Sequence, residues 1–167
     1  MPVNSERVIN PAMHHINIKT TKLQEMIDWC GLVVGAKVNF QNPILAFISN
    51  DHANHRIALL AVRGLRDDPQ KFIHTGLHHT AFEYPSFADL MSSYARLKEA
   101  GIEPQFCLNH GMTTSLYYPD PDQNMVELQV DNFGDWETSA EWMRTSEEFR
   151  NDPIGTFFDP VAVWEAL

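Results

Sequence analysis

The sequence is short of cysteine and of basic residues, and it contains no long apolar run. Of its 167 residues two are cysteines, and 12 Lys and Arg stand against 22 Asp and Glu, giving a net charge of −10. No apolar stretch reaches the roughly 18 residues that a transmembrane helix needs. The negative charge argues against nucleic acid or an anionic membrane surface as a partner.

The two cysteines, Cys30 and Cys107, lie in apolar surroundings. Buried free thiols are therefore expected rather than a disulfide or a metal pair. The N-terminal residues lack the charged start and apolar stretch of a secretory signal, so we expect a reducing, cytoplasmic setting. Histidine, in contrast, is plentiful, with 8 residues. It is the commonest transition-metal ligand.

The first half of the chain has the order strand, helix and three strands. Residues 13–20 are rich in β-formers, Thr21 can cap a helix over Lys22–Cys30, and Gly31 can stop it. Three further strands are predicted between turn-forming residues, at Ala36–Gln41, Leu45–Asn50 and Arg56–Val62.

The second half repeats this order after a polar linker, Arg63–Thr75. A strand over Leu77–Tyr84 is followed by Ser86 as N-cap of a helix, Phe87–Ala100, which has one apolar stripe and ends at Gly101. Strands are then predicted at Ile102–Leu108, Thr113–Tyr118 and Asn124–Val130. An internal repeat of this kind indicates two copies of one structural unit.

A histidine pair stands at the same point of both copies, His14-His15 and His78-His79. Because side chains alternate along a strand, one member of each pair can face a shared interior: His15 with His79, or His14 with His78. Glu127 lies in an apolar strand, where a carboxylate is costly to bury unless it has a partner such as Lys, Arg or a metal. Two imidazoles and one carboxylate suit a non-haem Fe(II) site with open positions.

The repeat does not duplicate the carboxylate. Alignment of the last strands of the two copies places Ala58 opposite Glu127. Three protein ligands leave about three positions of an octahedral metal open, enough for a bidentate substrate and a third small molecule.

Several segments resemble a known family. The run from His110 to Glu127 is similar to the signature of type I extradiol ring-cleaving dioxygenases, in which Leu-Tyr and Asp-Pro separate a His from a Glu. These enzymes are members of the vicinal oxygen chelate superfamily. Other similar segments are the family's active-site histidine motif, its second ligand strand and the end of its single-domain members, at Asn54–Leu59, Leu77–Phe82 and Asp152–Pro160. Gln123 replaces the family's Gly in the Asp-Pro turn.

The resemblance implies an α+β fold. Two βαβββ modules, about residues 10–65 and 74–131, would form a cup-shaped mixed sheet around a metal, within a single domain of residues 1–167. A C-terminal arm, 132–167, would contain a helix over Thr138–Arg150 and pack across the core, because so many exposed aromatic residues are unusual. The aromatic side chains of the arm could cover the substrate, pack in the core or form a subunit contact. They are Trp136, Trp142, Phe157 and Phe158.

The resemblance also implies roles for individual residues. His15, His79 and Glu127 would bind Fe(II), or Mn(II), since both ions use the same ligand set. His14 and His78 would then face away, without a functional role. His55 would be the acid/base residue, and Tyr117 would be a hydrogen-bond partner of the substrate oxygen. His110 would be a further proton donor.

The expected function is extradiol cleavage of a catechol-type ring, such as a bicyclic 2,3-dihydroxybiphenyl-like diol, with O2. A glyoxalase-like isomerase or epimerase is one alternative, but such enzymes generally need a fourth protein ligand, and Ala58 occupies that position. The other alternative is a metal-free, ligand-binding member of the superfamily. Such a protein would have no need of the three metal ligands His15, His79 and Glu127. We expect an aromatic diol and O2 as partners, neither nucleic acid nor membrane, and a homo-oligomer.

Overall fold

The computed structural model describes residues 10–166, whose strands form two mixed sheets. The N-terminal sheet has the order β1-β4-β3-β2, with β1 (Ile16–Lys19), β2 (Lys37–Asn42), β3 (Leu45–Ser49) and β4 (Ile57–Leu60). The C-terminal sheet has the order β5-β8-β7-β6-β9, with β5 (His79–Glu83), β6 (Phe106–Asn109), β7 (Thr113–Pro119), β8 (Met125–Asp131) and β9 (Thr156–Phe157). The predicted α+β fold of two βαβββ modules is confirmed.

The strand registers of the two sheets correspond residue by residue. In both sheets the first strand of the module runs parallel to its fourth. One row across the N-terminal sheet consists of Phe40, Phe47, Ala58 and Asn17. The corresponding row across the C-terminal sheet consists of Phe106, Tyr117, Glu127 and Ala81. Ala58 is therefore the structural counterpart of Glu127, as the sequence alignment predicts, and Phe47 is the counterpart of Tyr117.

The first helix, α1 (Leu23–Val34), is longer than predicted. Thr21 does not cap it: Lys22 occupies the N-cap without a side-chain bond, and the helix continues through Gly31 to a left-handed residue, Gly35. The predicted stop was wrong because a glycine inside a helix costs only about 1 kcal/mol relative to alanine. The extra turn buries Val33 completely, and this burial outweighs that cost.

The second helix, α2 (Phe87–Glu99), agrees with prediction at its N-terminus. The Ser86 hydroxyl accepts a hydrogen bond from the Asp89 amide at 3.1 Å, which satisfies one of the unpaired N–H groups of the first turn. The predicted stripe of the helix is buried, with Leu90, Met91, Tyr94 and Leu97 facing the core.

The apolar core has two clusters, one for each module. Val33 of α1 belongs to the cluster of the C-terminal module, and Phe82 of β5 packs against both clusters, so that these two residues connect the modules. Cys30 and Cys107 are buried and unbridged, as predicted. Burial raises the pKa of both thiols to about 12.

The C-terminal arm differs from the predicted single helix. It contains α3 (Trp136–Thr145), α4 (Glu147–Asn151) and α5 (Pro160–Glu165), and it breaks at Ser146, whose hydroxyl caps α4. Phe158 packs against the core, but Trp136 and Phe157 are 71% and 72% exposed. Core packing therefore accounts for only part of the aromatic content of the arm. None of the described helices has the length and apolar character that a bilayer crossing requires.

We expect Ser86→Ala to lower the free energy of unfolding by about 1 kcal/mol, because the Asp89 amide loses its capping oxygen. Urea unfolding followed by circular dichroism measures the change. The matched control is Ser92→Ala on the exposed face of the same helix, which should be neutral or slightly stabilising because alanine is the better helix former. Equal midpoints for Ser86→Ala and the wild type would contradict the capping role.

Candidate metal centre

The buried carboxylate of Glu127 has a partner on each oxygen. The side chain is on β8 and only 5% exposed. The Tyr117 hydroxyl donates to Oε1 at 2.8 Å, and Nε2 of His79 lies 3.0 Å from Oε2. The Lys or Arg partner that the sequence left open is not found among residues 10–166, where the ion-pair partner of Glu127 is His79.

The strand register explains why these three side chains meet. Tyr117 is directly opposite Glu127 in the antiparallel pair β7–β8. Ala81 is the partner of Glu127 in the parallel pair β5–β8, and His79 precedes it by two residues on the same strand, hence on the same face. Three separate strands thus bring an imidazole, a phenol and a carboxylate together.

Tyr117 connects this group to His110. The ring nitrogen Nε2 of His110 lies 2.9 Å from the Tyr117 oxygen. Since the Tyr117 proton is donated to Glu127, the His110 nitrogen must be the donor in this second bond. Burial and then the bond to Glu127 raise the pKa of Tyr117 well above its usual value, so the phenol stays protonated.

The C-terminal arm packs against the loop that carries His110. Gly111 has φ +86°, and a Cβ there would lie 2.2 Å from the Trp142 ring. Gly155, with φ +84°, approaches the carbonyl of Asn109 so closely that a Cβ would lie 2.1 Å from its oxygen. Both positions require glycine, and both fix the arm beside His110. The sequence contained the two glycines, but the partner of each was not predictable from it.

The turn between β7 and β8 explains the departure at Gln123. The buried Asp120 carboxylate accepts from the backbone amides of Asp122 and Asn124 at 2.9 and 2.8 Å. Gln123 has a left-handed φ of 65°, the conformation for which glycine is the usual choice. The turn therefore keeps the backbone conformation expected with the family's glycine, although glutamine occupies the position.

The N-terminal module contributes a second group of histidines. Ring nitrogens of His14, His15 and His55 lie within 4.8 Å of one another. Arg56 anchors the group by donating to the His14 carbonyl at 3.1 Å and pairing with Asp51 at 2.8 Å. Desolvation, followed by the neighbouring His15 and His14, lowers the pKa of His55, which favours the neutral imidazole.

The expectation that His14 and His78 face away from the site is wrong. Their Nδ1 atoms lie 3.1 and 2.8 Å from Nδ1 of His15 and His79, respectively. β1 begins at Ile16 and β5 at His79, so His14 and His78 precede the strands. The alternation of side chains along a strand therefore does not apply to them.

The sequence-predicted site residues thus lie in two groups. One group joins His79, Glu127, Tyr117 and His110, and the other joins His15 and His55, together with His14. The three-histidine group does not include His79 or Glu127.

The donor atoms of the first group suit a divalent metal. Nε2 of His79 and Oε2 of Glu127 are 3.0 Å apart. Two ligand atoms that bind one octahedral ion at right angles through bonds of about 2.1 Å are separated by roughly this distance. An imidazole nitrogen and a carboxylate oxygen are also ligand types that Fe(II) uses in such sites.

Aromatic side chains flank both histidine groups. The Phe47 ring lies 4.6 Å from His55, and Phe106 stacks on Tyr117 with 4.5 Å between ring centroids. Phe40 and Phe157 extend the two walls and are 49% and 72% exposed. Sequence reasoning missed Phe40, Phe47 and Phe106, although each lies in a predicted strand segment and the register places it beside the chemistry.

A separate cavity of about 490 Å³ lies between α1, the linker and the two sheets. Most of its strand residues, such as Ile16, Ile57 and Val126, alternate with those of the metal centre and therefore face the other side of the sheets. None of the six predicted site residues lines it. The chemistry and this cavity thus occupy opposite faces.

The sequence profile of the Glyoxalase/Bleomycin resistance protein/Dioxygenase superfamily matches residues 12–128. The chain belongs to this superfamily. The matched segment extends from just before the first histidine pair to just beyond Glu127, and it leaves the C-terminal arm outside.

Curated superfamily relatives are similar over nearly the whole chain. Biphenyl-2,3-diol 1,2-dioxygenase 3 of Rhodococcus globerulus is 42% identical over 158 residues, which cover 95% of this chain and 83% of the relative. Biphenyl-2,3-diol 1,2-dioxygenase 2 of the same organism is 40% identical over 157 residues, with coverages of 94% and 82%. The arm is therefore largely included in both matches.

Solved superfamily structures share the fold. A glyoxalase/dioxygenase from Nostoc punctiforme superposes with a TM-score of 0.59 at 21% identity, covering 78% of this chain and 99% of that protein. Lactoylglutathione lyase from Agrobacterium tumefaciens gives a TM-score of 0.57 at 19% identity, with coverages of 72% and 94%. At these identities the likeness concerns the fold alone.

We expect Tyr117→Phe to lower the free energy of unfolding by about 1–2 kcal/mol, because the buried Glu127 loses a hydrogen-bond donor while the ring packing remains. Urea unfolding of the metal-free protein measures the loss. The neighbouring Tyr118 provides a matched control, since its buried hydroxyl has no hydrogen-bond partner among the described residues. Tyr118→Phe should therefore be neutral or stabilising. Equal losses in the two variants would contradict the role of the Tyr117–Glu127 bond.

Proposed function

We propose that this protein is an extradiol dioxygenase, which opens the ring of a catechol-type substrate with O2 at a non-haem Fe(II). The observation that carries the proposal is the pairing of Glu127 with His79 at 3.0 Å. His15 and His55 lie in the separate histidine group of the N-terminal module. The 42% and 40% identity to two biphenyl-2,3-diol 1,2-dioxygenases over nearly the whole chain supports the same reaction.

His15, His79 and Glu127 would hold the metal. Fe(II) bound by two neutral imidazoles and one carboxylate has open positions for a diol and O2, and it can transfer electrons between them. The ligand set would also accept Mn(II). Ala58, buried at the position equivalent to Glu127, leaves the N-terminal sheet without a second carboxylate there, which favours an open site over the four-ligand site of an isomerase.

Two further side chains have protonation states that suit proton transfer. His55, whose pKa is lowered by desolvation and the neighbouring histidines, is neutral near pH 7 and can accept a proton from the diol and return it to the product. Tyr117 remains a neutral phenol. Its one proton is donated to Glu127 in this structure, and it would turn to a substrate oxygen once a metal takes up that carboxylate. His110, which donates to the Tyr117 oxygen, would hold that phenol in place.

The aromatic walls favour an aromatic substrate of more than one ring. Phe47 lies beside His55 and Phe106 beside Tyr117, so these two rings would flank the ring that is cleaved. The exposed Phe157 lies farther out, 6.3 Å from Phe106. Ring–ring contacts of this kind favour flat aromatic ligands. A second ring on the diol would contact Phe157, and this supports a 2,3-dihydroxybiphenyl-like substrate.

Anaerobic reconstitution tests the proposal directly. The protein is loaded with Fe(II), mixed with 2,3-dihydroxybiphenyl and exposed to O2. A yellow ring-opened product, with one O2 consumed for each diol, is expected. Tight binding of the diol by metal-free protein without any turnover would instead indicate a ligand-binding member of the superfamily.

We expect Glu127→Ala and His79→Ala to abolish stoichiometric iron binding, because each removes one of only three protein ligands. Iron is measured on protein reconstituted anaerobically and freed of excess metal. His74→Ala, which alters an exposed histidine paired with Asp68, is the control and should retain iron. Full iron content in either ligand variant would remove that residue from the site.

We expect His55→Ala to retain iron and bind the diol but to lose about 10²–10⁴-fold in kcat, the range typical of a general acid/base. Steady-state O2 uptake and iron content are measured on the same samples. His52→Ala changes an exposed histidine of the same loop and should leave kcat within about twofold of the wild type. An unchanged kcat in His55→Ala would exclude its role in proton transfer.

A further inference from the structure

The proposed reaction leaves one part of the histidine pattern without a role. His14 and His78 each precede a proposed metal ligand, and neither is expected to bind the metal. Both are exposed, so packing does not account for them. Their ring nitrogens nevertheless lie within hydrogen-bond distance of the ligand histidines.

The contact has the same geometry in both modules. In the C-terminal pair, Nδ1 of His78 is 2.8 Å from Nδ1 of His79, with the rings 5.1 Å apart and inclined by 82°. In the N-terminal pair, Nδ1 of His14 is 3.1 Å from Nδ1 of His15, with the rings 5.3 Å apart and inclined by 86°. Two independent chain segments thus form the same edge-to-face arrangement through the same pair of atoms.

The arrangement of atoms around His79 assigns the direction of this bond. Nε2 of His79 faces Glu127 at 3.0 Å and is the atom available to a metal. A neutral imidazole that binds a metal through Nε2 carries its single proton on Nδ1. With a metal bound at Nε2, His79 therefore donates from Nδ1, and Nδ1 of His78 accepts. In the metal-free protein a proton on Nε2 can instead be donated to Glu127.

We propose that His78 and His14 are positioning residues, each of which accepts the Nδ1 proton of the neighbouring ligand histidine and so fixes its tautomer and ring orientation. Metal-binding histidines usually donate their second N–H to a carboxylate, a carbonyl or water, and loss of that acceptor typically weakens metal binding. Here an adjacent histidine takes that place. The inference rests on the proposed function, because it takes His15 and His79 to be ligands.

The two pairs differ in one respect that decides the experiment. His14 also lies 5.1 Å from the His55 ring, so its substitution would alter the acid/base residue as well. His78 has no comparable contact with another proposed catalytic residue among the described residues. His78 is therefore the position at which to test the role.

Mn(II) titration of the metal-free protein, followed by the electron paramagnetic resonance signal of the free ion, measures binding without any turnover. We expect His78→Ala to weaken Mn(II) binding by roughly 10- to 100-fold. His78→Asn should restore most of the affinity, because its side-chain oxygen can accept at the position of Nδ1. His74→Ala should bind as the wild type does. Because His78 is exposed, urea unfolding of the metal-free variants should match the wild type.

Two results would overturn the inference while leaving the proposed metal site intact. The first is wild-type Mn(II) affinity in His78→Ala, and the second is an affinity in His78→Asn as low as that of the alanine variant. A wild-type protein that binds neither Mn(II) nor Fe(II) would refute the proposed function and this inference together.

Discussion

The structure depends on the partners of one buried carboxylate. Glu127 is buried on β8, where an unpaired charge would cost several kcal/mol. Tyr117 and His79 satisfy its two oxygens from the neighbouring strands. The register of β5, β7 and β8 therefore determines the contacts of the candidate metal centre. The same two contacts thus connect the strands of the C-terminal sheet and bring the side chains of the candidate centre together.

The duplicated module shows which features the chemistry needs twice and which it needs once. Both copies keep a histidine pair where the first strand begins, and Phe40 corresponds to Phe106. Glu127 and Tyr117, in contrast, correspond to Ala58 and Phe47. The N-terminal sheet thus supplies an imidazole and an apolar wall without a second anionic ligand. At the proposed metal this asymmetry would leave coordination positions free for substrate and O2, and it would distinguish the proposed dioxygenase from four-ligand enzymes of the same fold.

The sequence predicted what depends on local patterns, such as the repeat, the Ser86 cap and the apolar position of Glu127. It failed where tertiary contacts decide. Gly31 does not end α1, because the next turn buries Val33. The contact of His78 with His79 was missed because the strand begins two residues later than the pattern suggested. The aromatic walls could not be predicted, because they depend on how the strands pair, and the sequence of a single strand does not contain that information.

The central claim is that the two modules converge on one metal through one histidine each and a single carboxylate. A crystal structure of the protein grown anaerobically with Fe(II) tests it most directly. We predict one iron bound by Nε2 of His15, Nε2 of His79 and Glu127, with its other positions held by water or by an added diol. Iron bound instead by the cluster of His14, His15 and His55, or held by a fourth protein ligand, would contradict the account.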